Sequence, residues 1–270
     1  MPPFDSLRAT LDLLIADATW PDISRLNECT ADINNFRGQP IRFVAIEDAA
    51  DATHYETRIA ESGEIATRKN WHDFFNAMCW LSFPEAKSAI SEMHARLLSA
   101  YGESELLTRS TPRDVLTLFD EGGMIVTSSD ESLLELIHRF EWKTLFVDRR
   151  ADVIACMRFF LFGHSMLEKL LEPYIGVTAK AILFTVDQQF LASNHAAQMR
   201  YLDLRTAAWL MDESNLASSK NFSPLPWLGV PGWWQENESP AFYDNAQYFR
   251  SGRMGARENA QDGHRSIRPT

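Results

Sequence analysis

The sequence predicts an α+β fold: a mainly helical single domain with a small sheet and an ordered C-terminal arm rich in proline and tryptophan. The chain has 270 residues, of which 45% are hydrophobic, enough for one sizeable core. Helical spacing of apolar residues recurs along most of the chain, whereas only a few short runs have the composition of strands. Near the C-terminus, three tryptophans lie among prolines and glycines, a composition too apolar for a free linker.

We expect one globular unit over residues 1–250. It consists of a helical collar (1–36), a core (40–215) and the Pro/Trp-rich arm (216–250), which packs on the core. Residues 251–270 carry four arginines and few apolar side chains, so we expect them to form a disordered tail.

The elements of the N-terminal part follow from apolar spacing. Residues 6–17 and 22–33 have helical spacing, and residues 41–46 have the composition of a strand. Residues 55–59 and 64–67 flank a Glu-Ser-Gly turn and predict the two strands of a hairpin. This hairpin leads directly into the aromatic-rich segment that follows.

Three helices are expected next, over residues 71–83, 84–98 and 111–122. Pro84 separates the first two, and Pro112 occupies the first turn of the third.

The second half of the chain alternates between the two kinds of element. Its expected strands cover residues 124–127, 153–162 and 179–186, and its expected helices cover residues 131–140, 165–171 and 188–213. The last two strands and the helix between them predict a strand-helix-strand unit. In the arm, the prolines and glycines argue against any regular element.

Charge and hydropathy narrow the functional classes. A net charge of −11 and a pI near 5.1 disfavour binding to nucleic acid and to anionic lipid, although a local basic groove would escape this argument. The N-terminus has no basic region ahead of its apolar residues, and the most hydrophobic run, 153–162, is too short to cross a bilayer. The three cysteines lack CxxC spacing and fit reduced core thiols. We therefore expect a cytoplasmic protein with no membrane partner.

The most informative segment places His72, Asp73 and Asn76 among five aromatic residues. His72 and Asn76 are four residues apart and share one helix face, with Asp73 on its flank. The imidazole and carboxylate predict general acid–base catalysis or metal binding, with the amide orienting water or substrate. The alternative is structural, since such groups near a helix start also serve as caps and core hydrogen-bond partners.

A second pair with the same spacing, His164 and Glu168, predicts two ligands of a divalent metal ion, Zn, Mn or Fe. His72 or His94 would complete the set. The alternative is an ordinary hydrogen-bonded pair on a helix, because the chain lacks the double-histidine helix motif of metalloproteases.

Other motifs give weaker or negative signals. Neither GxGxxG nor GxxxxGK[ST] occurs, which disfavours the familiar nucleotide-binding sites, and GxSxG is absent as well. Asp120-Glu121-Gly122-Gly123 predicts a turn with two acids, which capping or solvation explains as well as catalysis does.

Several of these segments together resemble a known family. The segments that carry the resemblance lie at residues 67–87, 118–121, 162–170, 224–233 and 242–244, and they include Asn70-Trp71-His72-Asp73 and Phe162-Gly163-His164-Ser165. In this order and over roughly residues 40–250, they resemble the bacterial domain-of-unknown-function 3025 family. The resemblance implies a cytoplasmic protein of a Gram-negative bacterium and one conserved unit, but no established activity.

A looser similarity involves the expected hairpin and the helix after it. With Asn76, Trp80 and His94, this arrangement resembles the ββα-metal finger of HNH nucleases. It departs from that finger because His72 begins the helix, whereas the finger carries its first histidine at the end of a strand.

Two functions therefore follow from the sequence. The first is a divalent-metal-dependent hydrolase, with phosphoesters as a candidate substrate, in which Asp73 orients His72 or activates water. The alternative is a non-catalytic scaffold that binds a ligand or protein and whose polar cluster is structural. The sequence identifies no partner.

Overall fold

The computed structural model of the chain describes residues 2–15, 19–46, 55–101 and 110–252. Its α-helices are α1 (Arg8–Leu14), α2 (Ile23–Cys29), α3 (Tyr55–Ser62), α4 (Trp71–Ser82), α5 (Pro84–Tyr101), α6 (Thr111–Gly122), α7 (Glu131–His138), α8 (Arg150–Cys156), α9 (His164–Lys169), α10 (Gln188–Ala192) and α11 (His195–Leu210). Its strands are β1 (Arg42–Ala45), β2 (Glu64–Thr67), β3 (Gly123–Ser128), β4 (Met157–Leu161), β5 (Thr178–Thr185) and β6 (Ser223–Pro226). Except for Ser251 and Gly252, the tail expected over residues 251–270 lies outside the described residues.

These elements confirm the predicted α+β class. Helices dominate the described residues, and the strands form one sheet of two strands and one of four. Short 3₁₀-helices occupy much of the chain after α11. None of the helices within the described ranges combines the length and the apolar character that crossing a membrane requires.

The predicted hairpin is wrong, because residues 55–62 form helix α3 and β1 pairs with β2 in parallel. Alternating Tyr55, Thr57 and Ile59 resemble a strand in isolation, but a parallel pair needs a crossover, and α3 lies between the two strands. Gly63, with φ of +73°, ends the helix and donates its N–H to the carbonyl of Ile59 at 3.0 Å. The glycine therefore caps a helix and does not form a hairpin turn.

The four-stranded sheet has the order β4-β3-β5-β6 and forms the centre of the core. β3 is buried along its whole length, antiparallel to β4 and parallel to β5. Because β4 and β5 therefore run in opposite directions and are not neighbours, they do not form the expected strand-helix-strand unit with α9.

Residues 153–156 were expected to belong to a strand but lie in α8. β4 begins only at Met157, which pairs with Ser128, the last residue of β3. Residues before Met157 have no strand beside them on β3, and a strand without a partner leaves its backbone groups unpaired.

The long helix expected over residues 188–213 is interrupted after Ala192. Asn194 accepts a hydrogen bond from the N–H of Ala197 and starts a new helix, α11. The side-chain amide of Gln198 donates to carbonyls at the end of α10, including that of Phe190 at 3.1 Å. Local capping thus divides one apolar pattern between two helices.

The arm contains a regular element that was not expected. Ser223–Pro226 forms β6, which pairs with β5 at the edge of the sheet. An edge strand tolerates Pro224 and Pro226 because it does not need every N–H for pairing. Trp227, directly after β6, is fully buried.

Helix α5 receives its N-terminal cap from a distant helix. The carboxylate of Asp203 on α11 accepts hydrogen bonds from the backbone N–H groups of Glu85 at 3.1 Å and Ala86 at 2.8 Å. Burial raises the pKa of Asp203 to about 6, although these two donors act in the opposite direction. This contact joins α5 to α11, but it requires that the carboxylate of Asp203 be removed from water.

The raised pKa predicts a pH-dependent contribution of Asp203 to stability. Between its unfolded pKa of about 3.9 and its folded pKa of about 6, the folded protein holds a proton that the unfolded chain has released. Lowering the pH from 7 to 4 should therefore raise the free energy of unfolding through this group by up to about 2 kcal/mol.

Urea unfolding of the wild type and of the Asp203→Asn variant at pH 7, 6, 5 and 4 measures this effect. The stability of the wild type relative to the variant, which cannot titrate here, should increase as the pH falls. A difference that stays constant over this range would contradict the assignment.

Candidate functional site

Helices α3, α4, α5, α6 and α9 contribute to the wall of a cavity of about 270 Å³ that is rich in titratable side chains. Five of the residues singled out from the sequence lie in this wall: His72, Asp73, Asn76, His94 and His164. Five further titratable side chains share it: Tyr55, Glu56, Arg68, Asp120 and Glu121. Residues from five separate regions of the chain therefore meet in one small volume.

A close approach of two backbone segments brings α6 and α9 together at this cavity. The N–H groups of Phe162 and Gly163 both donate to the carbonyl of Gly123, at 3.1 and 2.9 Å. A Cβ on Gly163 would lie 2.5 Å from the carbonyl oxygen of Glu121 and 2.6 Å from the nitrogen of Gly122. The absence of a side chain at Gly163 thus lets Glu121, near the end of α6, lie beside His164, at the start of α9.

His72, Glu121 and His164 form the chemical centre of the site. Each offers one ligand atom, and these atoms all lie within 4.8 Å of one another. Glu121 Oε2 is 3.6 Å from His72 Nε2, and Glu121 Oε1 is 3.5 Å from His164 Nε2. The two imidazole rings also meet edge to face, with centroids 4.6 Å apart.

Asp73 fixes the orientation of His72. Its carboxylate accepts from the backbone N–H of Arg68 at 2.8 Å, from Arg68 Nε at 3.0 Å and from His72 Nδ1 at 3.0 Å. Burial raises the pKa of Asp73, but the hydrogen bonds from Arg68 and His72 outweigh it, so the net pKa is lowered. An ionised Asp73 only accepts, so His72 Nδ1 carries a proton and its Nε2 faces Glu121.

Asp120 has the corresponding place beside His164. Its Oδ1 accepts from Lys87 Nζ at 2.6 Å, and its Oδ2 lies 3.8 Å from His164 Nδ1. Burial raises the pKa of Asp120, but Lys87 and then His164 lower it by more. His164 is buried, and its Nδ1 has no hydrogen-bond partner within the described ranges. That nitrogen is thus an unsatisfied buried polar atom facing a carboxylate.

Glu121 differs from the other two carboxylates because no lysine or arginine pairs with it in the described part of the chain. The imidazole of His164 lowers the pKa of Glu121, against a smaller opposing effect of its partial burial. Glu121 is therefore an ionised carboxylate between two imidazole nitrogens, at the boundary between the cavity and solvent.

Asn76 is held by two neighbours. Its Oδ1 accepts from Lys87 Nζ at 2.9 Å, and its Nδ2 donates to the hydroxyl of Tyr55 at 2.9 Å. Both ends of the amide are engaged, so Asn76 connects Lys87 to Tyr55.

The remaining two predicted metal ligands lie apart from the three-residue centre. His94 is buried deeper in the wall, where its Nδ1 is 3.4 Å from Arg113 Nε. Glu168 does not line the cavity, and it is absent from the group of potential ligands among the described residues. It lies one helical turn, about 6 Å, beyond His164 along α9. The structure therefore places Glu121, not Glu168, beside His164.

Four residues that build the site were not among the predicted site residues: Tyr55, Lys87, Asp120 and Glu121. The turn expected at residues 120–123 is wrong, because the helix continues to Gly122 and the strand begins at Gly123. For the two acids a signal existed, since Asp120-Glu121-Gly122-Gly123 and Gly163-His164 both place glycines next to polar groups. Glycines at such positions can mark a close approach of the backbone, although they do not reveal which two segments meet.

Arg68 also lines a larger cavity of about 580 Å³, and Trp20 and Phe74 contribute to the wall of that cavity. It shares Arg68 with the polar site but contains no member of the His72, Glu121 and His164 group. The chemistry of this part of the protein is therefore concentrated in the smaller cavity.

Comparison with known proteins gives one match. The family described as protein of unknown function (DUF3025) matches over residues 41–253, most of the chain. No curated protein and no solved structure shows a significant match.

Replacement of Gly163 by alanine should disrupt the contact that joins α6 to α9. The new Cβ would meet backbone atoms of three residues at 2.5–2.6 Å, which cannot move aside as a flexible side chain can. We expect a loss of about 3 kcal/mol or more in the free energy of unfolding, measured by denaturant titration.

Gly122→Ala is the matched control, because a Cβ at Gly122 has no atom within 4 Å. This variant should stay within about 1 kcal/mol of the wild type. Equal stability of the two variants would show that the close approach at Gly163 is not required.

Proposed function

The chain belongs to the DUF3025 family, and since that family supplies no reaction, we propose from the site itself that the protein is a divalent-metal-dependent hydrolase. His72, His164 and Glu121 would hold the ion. Two imidazoles and one carboxylate form a recurrent ligand set of catalytic zinc and non-haem iron sites, in which further coordination positions stay open for water or substrate.

The separation of the ligand atoms carries this proposal. The contacts of 3.5 and 3.6 Å between Glu121 and the two histidines are longer than ordinary hydrogen bonds. Two ligands bound to one ion at about 2.0–2.1 Å in tetrahedral geometry lie about 3.3–3.4 Å apart. Each Glu121 oxygen thus faces one imidazole nitrogen at close to this separation, and the ligand atoms of all three residues lie within 4.8 Å of one another.

The neighbouring carboxylates support the same assignment. Metal-binding histidines commonly donate their second ring N–H to a carboxylate, which fixes the tautomer and the ring orientation. Asp73 bonds to His72 Nδ1 in this way, and Asp120 Oδ2 faces His164 Nδ1 at 3.8 Å. Because both oxygens of Asp73 are engaged by Arg68 and His72, Asp73 orients His72 and is not free to activate water.

A bound ion would act as a Lewis acid and lower the pKa of its water towards neutrality, which is the chemistry of metal-dependent hydrolysis. The protein's own residues hold the ligands in place and limit access to a small cavity. The similarity to HNH nucleases gives no support, because β1 and β2 are parallel and do not form the hairpin of a ββα-metal finger.

We also propose a bacterial origin, as the family resemblance implies, and a cytoplasmic location. The three cysteines, Cys29, Cys79 and Cys156, are free thiols, which fits a reducing compartment.

Elemental analysis by plasma mass spectrometry tests the metal site. The purified wild type, or the protein after incubation with Zn, Mn or Fe and desalting, should contain close to one ion per chain. His72→Ala, His164→Ala and Glu121→Gln should each lose the ion, because each removes one of three ligands.

Glu168→Gln is the control for this series and should retain the ion, since Glu168 lies outside the ligand group. Circular dichroism of each variant shows whether it is folded. Folded wild type that takes up none of the three metals would refute the hydrolase proposal and favour the non-catalytic scaffold, in which the cluster is structural.

A further inference from the structure

A second, larger cavity adjoins the one that contains His72 and His164. Its volume is about 580 Å³, against about 270 Å³ for the smaller cavity around the two histidines. Packed protein interiors contain few voids larger than a water molecule, whereas pockets that bind small molecules usually measure about 300–1,000 Å³. The larger cavity therefore has the size of a ligand pocket, whereas the smaller one has room for only part of such a ligand.

The two cavities meet at one end of the two-stranded sheet. Ala45 and Thr67, which pair with each other as the last residues of β1 and β2, line the larger cavity. Ile46 and Ala66 line the smaller cavity, and Arg68 lines both. The carboxyl ends of parallel strands are a recurrent place for ligands. A single molecule that lies across Arg68 would therefore reach both cavities.

The larger cavity is apolar inside. Apart from Thr67, the buried and half-buried side chains of its wall are all apolar: Trp20, Pro21, Ile23, Leu26, Ala45 and Phe74. The hydroxyl of Thr67 already donates to the carbonyl of Ile65, at 3.0 Å. The wall therefore offers mostly apolar surface to a ligand, and removing such surface from water is favourable.

Exposed side chains form the rim of this cavity, and all of them are polar: Asp22, Ser24, Arg68 and Lys69. Arg68, the residue shared with the smaller cavity, donates through Nε and Nη2 to the carboxylate of Asp73, at 3.0 and 3.3 Å. An amphipathic molecule would thus place its apolar end inside the larger cavity and its polar end at the rim, where Arg68 adjoins the smaller cavity.

Two aromatic side chains contribute rings to this wall. The rings of Trp20 and Phe74 are tilted against each other, with centroids 5.4 Å apart. Trp71, the residue before His72, meets Trp20 edge to face at 4.9 Å and so connects the wall to the start of α4. Because Trp20 is only half-buried, a bound ring would cover indole surface that faces the cavity. Pairs of aromatic rings are favourable beyond the area that they bury.

We propose that the substrate carries an aromatic group, which binds in the larger cavity, while the bond to be hydrolysed lies beside His72, Glu121 and His164 in the smaller one. This inference rests on the proposed metal-dependent hydrolase and specifies its substrate class. Contacts to a remote apolar group supply binding energy that holds the reacting bond in position.

Calorimetric titration with two flat, uncharged rings tests the preference of the larger cavity. The full chain should bind indole with a dissociation constant below about 1 mM, and uracil, which has polar groups around its ring, at least tenfold more weakly. Ala45→Phe adds a ring to the wall of the cavity and should weaken indole at least tenfold. Trp20→Ala removes a ring from the wall and should also weaken indole, which provides the test if Ala45→Phe does not fold.

Ala208→Phe is the matched control, since Ala208 is exposed on α11 and lines neither cavity. It should bind indole as the wild type does, and circular dichroism shows whether each variant is folded. Binding of uracil as tight as that of indole, or no binding of indole to the folded wild type, would overturn the aromatic group.

Indole joined to a hydroxamic acid tests whether the two cavities form one site, because the hydroxamate group binds zinc. Linkers of one, two and three methylene groups cover a range of distances across Arg68. With zinc-loaded protein, the tightest of the three compounds should bind at least tenfold more tightly than acetohydroxamic acid, a gain of about 1.4 kcal/mol or more. Ala45→Phe should abolish this gain and retain the zinc.

The same titrations separate this inference from the function on which it rests. No gain for any linker in the folded, zinc-loaded wild type, or a gain that persists in folded Ala45→Phe, would overturn the joint site. Failure of the folded wild type to bind zinc would overturn the metal-dependent hydrolase itself. Indole binding needs no zinc, so it distinguishes that failure from the lack of an apolar pocket.

Discussion

The backbone crossing at Gly163 is the constraint on which the site depends. The carbonyl of Gly123 accepts two N–H groups from the end of β4, and a side chain at Gly163 would not fit against Glu121 and Gly122. The antiparallel pairing of β3 with β4 places the start of one strand beside the end of the other. The helix that leads into β3 and the helix that leaves β4 must therefore meet, and each carries a reactive group at that end.

Ion pairs within the cavity determine which of its polar groups remain available to bind a ligand. Arg68 neutralises Asp73, and Lys87 neutralises Asp120, so two carboxylates that would be costly to bury are compensated. Their remaining interactions are with the imidazoles, which they orient or face. Among the described residues, the strongest contacts of Glu121, His72 Nε2 and His164 Nε2 are with one another. A cation bound between these three groups would give each of them a partner.

Sequence reasoning found the polar residues but not all of their partners. His72, Asp73 and Asn76 were identifiable because polar groups among aromatic residues need a reason to be buried, and the structure places all three in one cavity. Spacing of four residues suggested Glu168 for His164, because periodicity reveals only neighbours on the same helix. Glu121 comes from another helix, and only the pairing of β3 with β4 brings it there.

The fold was likewise predictable where short-range sequence patterns determine an element, and not where contacts between distant segments determine it. Helices α4, α5 and α6 were predictable from proline positions and apolar spacing, whereas residues 55–62 alternate like a strand and form a helix. What decides that segment is its tertiary role as the crossover between parallel strands, which no short window contains. The boundary between α8 and β4 likewise depends on where β3 ends.

Anomalous diffraction at the zinc absorption edge, from crystals grown with the metal, tests the assignment of the site most directly. We expect one strong peak within about 2.0–2.2 Å of His72 Nε2, His164 Nε2 and a carboxylate oxygen of Glu121. A peak on other residues, or no peak in this cavity although the histidines and Glu121 are well ordered, would contradict the metal centre and leave the cluster as a structural network.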